Sequence, residues 1–137
     1  MGDTKISGRI VTVRHPDREI YALFADLGHF AEHLPEDVKE KSSLEFDTDH
    51  LLAKVQGFEF GIKVEERVPF TMVKYIQFGT TPVSFDFFVN IEALSEDTCS
   101  FRLSLDAQLG TMMKMMVGGK LKEAVDRLTD ELEKRLI

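Results

Sequence analysis

The chain has 137 residues, 43% of them hydrophobic, and 17 Lys and Arg against 24 Asp and Glu give a net charge of −7. This is enough apolar surface for one core and is read as one domain spanning residues 1–137. With no Lys/Arg run in the sequence, the clustered positive charge of a phosphate-tracking face is not seen, which speaks against a nucleic-acid partner or an anionic membrane surface. Cys99 is the only cysteine, so an intrachain disulfide, a thiol-rich metal site and a Cys-x-x-Cys redox motif are excluded as well. The charged opening MGDTKISGRI does not read as a signal peptide, and no stretch approaches ~18 consecutive apolar residues. The expectation is a cytoplasmic protein without stable membrane insertion.

Residues 5–14, KISGRIVTVR, are rich in β-branched side chains and read as a first strand. His15-Pro16-Asp17 breaks it, and Ile20, Leu23, Phe24 and Leu27 at helical spacing predict a helix over 16–27 that stops at Gly28. A short second helix from His29 to Leu34 closes at Pro35, and the polar stretch 36–42 reads as loop.

From residue 43 the period changes to two. SLEFD is a short strand, and HLLAKV and FEFGIKVEERV flank Gln56-Gly57, a hairpin turn. On the second of these, Phe58, Phe60, Ile62 and Val64 share one face, with Glu59, Lys63 and Glu65 opposite. MVKYIQFG is a further strand whose inward face stays open: Val73 and Tyr75 compete with Met72, Ile76 and Phe78. In VSFDFFVNIEAL, which follows Thr80-Thr81-Pro82, Phe85, Phe87, Val89 and Ile91 form the apolar face; in CSFRLSLDAQL it is Phe101, Leu103, Leu105, Ala107 and Leu109. The charges on the opposite faces read as solvated surface.

The last segment, about 111–136, is a long helix that Thr111 can cap. On a wheel of ~100° per residue, Met113, Val117, Leu121, Ala124, Val125, Leu128, Leu132 and Leu136 form one stripe. Met112, Met115 and Met116 lie off it, so the opening turns are apolar nearly all round and are expected to be covered. Gly118 and Gly119 each disfavour a helix interior by roughly 1 kcal/mol, pointing to close backbone approach, a bend or open room. Methionine adapts to irregular gaps. Together they suggest an incompletely filled space under this end of the helix, against the plainer possibility of a packed core that uses Met.

The order strand, two short helices, six antiparallel strands, long helix is α+β. With Pro16-Asp17-Arg18-Glu19-Ile20-Tyr21, Asp26, Leu34-Pro35 and the turn Glu96-Asp97-Thr98, it resembles the START-related SRPBCC superfamily. That superfamily includes lipid-transfer domains, the major pollen allergens, polyketide cyclases and aromatases, and chaperone activators. The resemblance implies a helix-grip fold: a seven-stranded curved antiparallel sheet wrapped around the C-terminal helix, with two short helices after the first strand. It also implies a cavity between sheet and helix, with Phe58, Phe60, Ile62, Phe85, Phe87, Phe101, Leu103, Met113, Met116, Val117 and Leu121 as lining. Tyr75 is the one candidate interior hydroxyl.

Such walls suit a hydrophobic small molecule, lipid or aromatic and polyketide-like, better than catalysis. A cyclase or aromatase, which would need Tyr75 facing a second titratable group, and an interaction module of the chaperone-activator type stay open beside it. No catalytic residue, cofactor or metal is assigned. His29 and His33 have ligand spacing but lack a third ligand and read as surface. A monomer or weak homodimer is expected.

Overall fold

The computed structural model describes residues 3–32, 36–41, 43–55, 58–79 and 84–136; at 3, 37, 38, 41, 55, 58, 60, 113, 114 and 116–118 it describes backbone only. In chain order the elements are β1 (Asp3–Ser7), β2 (Val11–Val13), α1 (Asp17–Ala25), α2 (Leu27–Glu32) and α3 (Glu36–Lys41). Then come β3 (Ser43–Phe46), β4 (His50–Val55), β5 (Phe58–Val68), β6 (Met72–Gln77), β7 (Ser84–Ala93), β8 (Cys99–Gln108) and α4 (Thr111–Leu136). The expected turn at Gln56-Gly57, the break at Leu34-Pro35, His33 and Thr80-Thr81-Pro82 lie outside the described residues.

The strands form one antiparallel sheet in the order β1-β8-β7-β6-β5-β4-β3, and β2 also pairs with β8. Hence the expected first strand is two. β1 pairs with Ser104–Gln108 and β2 with Phe101–Cys99. The break falls at Gly8, where α4 crosses closely: a Cβ there would lie 3.0 Å from Thr129 Oγ1 and 3.2 Å from Val125 Cγ1. The next residue, Arg9, turns outward to bond Asp130 and Glu133 of α4 at 2.7 and 2.9 Å.

Two boundaries differ from the sequence expectation. α1 ends before Asp26 rather than at Gly28. Asp26 has extended dihedrals, and its carboxylate accepts the Gly28 N–H at 2.8 Å, so it starts α2 as an N-cap and draws Gly28 into that helix. The stretch expected as loop, 36–42, instead contains α3. Glu and Lys are good helix formers. Lys39 donates to the Glu32 carbonyl at 2.6 Å, and Arg135 reaches the same oxygen at 3.2 Å, so two cations meet the C-terminal end of α2.

The concave face carries the core. α1 packs on β6 and β7, α2 on β3 and β4, and α4 on β1, β2 and β8. The stripe of α4 is buried at Val125, Thr129 and Leu132 and half-buried at Leu121, Leu128 and Leu136. Ala124, expected in the stripe, is exposed. Thr129 takes a core position because its hydroxyl donates to the Val125 carbonyl at 2.8 Å, satisfying itself within the helix. Among the described residues no helix is long and apolar enough to cross a membrane.

Candidate functional site

Strand register arranges the concave face in rows. Val73, Val89 and Leu103 sit side by side, as do Val11, Phe101 and Ile91. All but Ile91 are at most 1% exposed, and Ile91 is 6%. The next row runs Val64, Tyr75, Phe87, Leu105, Ile6. The row beyond it holds Ile62 opposite Gln77, then Phe85, Ala107 and Thr4. Along this direction the cover thins. Tyr75 is fully buried, but Val64 and Phe87, and then Ile62 and Phe85, are only half-buried.

The covering helix has the same gradient. Leu132 and Thr129 are sealed, Leu121 is half-buried, and Met112 and Met115 are 75% and 83% exposed. The expected cover over these two methionines is therefore not there. A Cβ on Gly119 would meet nothing within 4 Å, so close backbone approach does not explain this glycine. Burial is thus complete at one end of the sheet and helix and partial at the other, the open end.

These contacts sort the expected lining. Ile62, Phe85, Phe87 and Leu121 are each half-buried against the core. Phe101, Leu103 and Tyr75 lie in the sealed part, at most 1% exposed, and touch core rather than open space. Phe58 and Phe60 lie on β5 and Met113, Met116 and Val117 on α4; their side chains lie outside the described residues.

A chain of rings links the two parts: Phe101 to Phe24 at 5.5 Å, Phe24 to Phe30 at 5.9 Å, Phe30 to Tyr75 at 6.2 Å and Tyr75 to Phe87 at 5.7 Å. These are productive aromatic distances.

The inward face of β6, open in the sequence, is that of Val73 and Tyr75. The Tyr75 hydroxyl donates to the Phe24 carbonyl at the end of α1. Burial raises its pKa well above the usual phenol range, and the charge of Arg67 offsets this only in part. As a proton donor in catalysis this group is spoken for.

Arg67 was not foreseen on the concave face. Strict alternation along β5 points it outward, but a bulge between Val64 and Glu66 reverses the parity and pairs it with Val73. There it donates to the Ala25 carbonyl at 2.8 and 3.0 Å and to Asp49 at 2.5 Å. Two successive exposed acids, Glu65 and Glu66, are the sequence trace of that bulge.

His15 and His50 have structural partners. His15 bridges Glu19 at 3.0 Å and the Leu136 carbonyl at 2.9 Å, tying α1 to the end of α4. His50 meets the Asp47 carboxylate at 3.1 Å and the Phe78 ring at 4.7 Å. The Asp47 carboxyl lies below its usual range because the Asp49 and His50 N–H groups and the His50 ring bond to it. His29 is exposed on α2. Among the described residues no three His, Cys, Asp or Glu side chains group as metal ligands. On the convex face, a groove of about 380 Å³ is lined by Lys63, Glu65, Ser84, Asp86, Asp106 and Gln108, among others. It is polar and open.

By sequence, the chain matches no family model and no curated protein. By structure it is similar to a protein of Rhizobium loti, with TM-score 0.69 and 13% identity over 98% of this chain and 97% of that one. A START superfamily protein from Mycobacterium smegmatis follows at TM-score 0.64 and 17% identity, covering 96% of both chains. Norcoclaurine synthase from Thalictrum flavum, in complex with dopamine and hydroxybenzaldehyde, aligns at TM-score 0.66 and 16% identity, over 96% of this chain and 85% of that one. The fold is the helix-grip fold of the START-related SRPBCC proteins. At these identities the likeness is one of fold.

Proposed function

We propose that this chain binds a small hydrophobic molecule between the concave face and the N-terminal half of α4, with residues 1–137 acting as one domain. The observation that carries this is the burial gradient: Ile62, Phe85, Phe87 and Leu121 are large apolar groups left half-covered on the inner face, where a packed core would seal them. Concave apolar walls with few polar groups are what a lipophilic ligand needs. The norcoclaurine synthase complex, whose two compounds are both aromatic, supports the class of ligand. The Tyr75 hydroxyl, buried and bound to a main-chain carbonyl, favours binding over catalysis.

Native mass spectrometry of the purified chain, followed by denaturation and extraction, tests this directly. A stoichiometric co-purified lipid or aromatic supports the reading. In equilibrium dialysis, Phe85→Asp is expected to lower affinity for naphthalene at least tenfold while the variant still folds; equal affinity in a folded variant overturns it.

One observation favours a second reading, an interaction module. Met112 and Met115 project from the same end of α4 almost fully exposed. If they serve a protein partner, Met112→Lys with Met115→Lys leaves naphthalene affinity unchanged and abolishes self-association or partner capture.

A further inference from the structure

The Thr4 hydroxyl oxygen is buried on the concave face and has no hydrogen-bond partner among the described residues. Such an orphan is costly and calls for a reason. β1 supplies part of the reason by position. Thr4 pairs with Ala107, which pairs with Phe85, so the hydroxyl shares the row of Phe85, Gln77 and Ile62 at the open end.

α4 and β1 run in the same direction: Lys122 bonds the Ser7 carbonyl, and Arg9 bonds Asp130 and Glu133 further along. Gly8 faces Val125 and Thr129. Four residues back along a strand is roughly 13 Å, or about nine residues of helix. That brings Thr4 level with Gly118 and Gly119, where the helix is thinnest.

Resting on the cavity reading above, we infer that Thr4 is the polar anchor of the site and selects a hydrophobic ligand bearing one neutral oxygen: an alcohol, a phenol or a ketone. A threonine hydroxyl both donates and accepts, so it serves either kind of oxygen. An anionic head group is disfavoured. The described cation on this face, Arg67, is already bound to Ala25 and Asp49, and the chain carries a net charge of −7. The other polar side chain of the row, Gln77, uses its carbonyl oxygen to accept the Phe85 N–H at 3.1 Å, which leaves Thr4 as the anchor. The Thr4 oxygen is covered, so a ligand reaches it only by displacing what lies over it.

The test compares naphthalene with 2-naphthol, one skeleton with and without the oxygen, by equilibrium dialysis against wild type, Thr4→Val and Thr4→Ser. Thr4→Val is expected to weaken 2-naphthol by about three- to tenfold while leaving naphthalene unchanged; Thr4→Ser keeps the preference. The ligand-free Thr4→Val variant is expected to melt at the wild-type temperature or above, because an unpartnered hydroxyl is replaced by a methyl group. An unchanged preference in Thr4→Val overturns the anchor and leaves the cavity standing, and a lowered melting temperature overturns it too, since the hydroxyl then has a partner in the free protein. Failure of both probes to bind wild type overturns the cavity reading and the anchor together.

Discussion

Tyr75 donates its hydroxyl to the main-chain oxygen of Phe24, 51 residues earlier, and so fastens the end of α1 to the middle of the sheet. One residue on, Arg67 performs the same service for Ala25. A helix leaves its last carbonyls without partners, and α1 has no basic residue in its own last turn. The sheet supplies both donors, one neutral and buried, the other cationic.

Tyr75→Phe keeps the ring contacts with Phe30 and Phe87 and removes only the donor. The buried Phe24 carbonyl is then left without this partner, and stability is expected to drop by about 1–3 kcal/mol. Urea unfolding followed by circular dichroism measures this. Naphthalene affinity should be unchanged, because the hydroxyl faces α1 and not the open end.

Arg67→Met tests the cationic half of the same clamp. Its side chain is 34% exposed, so water replaces part of what is lost, and a decrease of about 1–2 kcal/mol is expected. Arg67→Lys should recover only part of this, since one ammonium does not reproduce the guanidinium fork that holds Ala25 and Asp49 together. Thermal melts of the three proteins in parallel decide it.

Cys99 gives a pH dependence with a definite sign. Burial, with a smaller contribution from Asp17, raises its thiol from 9.0 to about 11. Between those values the unfolded chain has lost the proton and the folded chain keeps it, so stability falls as pH rises from about 9 to about 11. Cys99→Ala should show a shallower decline over that window, whatever its absolute stability. At pH 8 the native thiol should resist iodoacetamide and react only after denaturation, as read by mass spectrometry.

Gly61→Ala probes a close approach within the sheet. The Phe78 N–H bonds the Gly61 carbonyl at 2.9 Å. A Cβ at Gly61 would press on the Phe78 carbonyl and come within 2.8 Å of Leu52 Cδ1. The backbone clash cannot be relieved by a rotamer change, so a loss of about 1–3 kcal/mol is expected. A variant as stable as wild type in urea would contradict this packing.

The strands, the long helix and their order were legible because each carries its own period. Alternation in Phe85, Phe87, Val89 and Ile91 and in Phe101, Leu103, Leu105 and Ala107 requires no knowledge of neighbours. Where sequence and structure part, a distant contact decides. Gly8 breaks the first strand because α4 passes over it, and α3 forms where the charged stretch 36–41 reaches Glu32 and Arg135. Likewise, Arg67 turns inward through a bulge that a strict two-residue period cannot express.

Local patterning thus determined the fold class, the apolar faces and the unusual composition of the last helix, since side-chain periodicity follows from backbone geometry alone. The tertiary structure decided which inward residues are sealed and which stay half-open. It turned Tyr75 into a helix clamp and left the Thr4 hydroxyl without a partner among the described residues. Burial and hydrogen-bond satisfaction depend on what the rest of the chain brings within a few ångströms, and no single strand or helix encodes that.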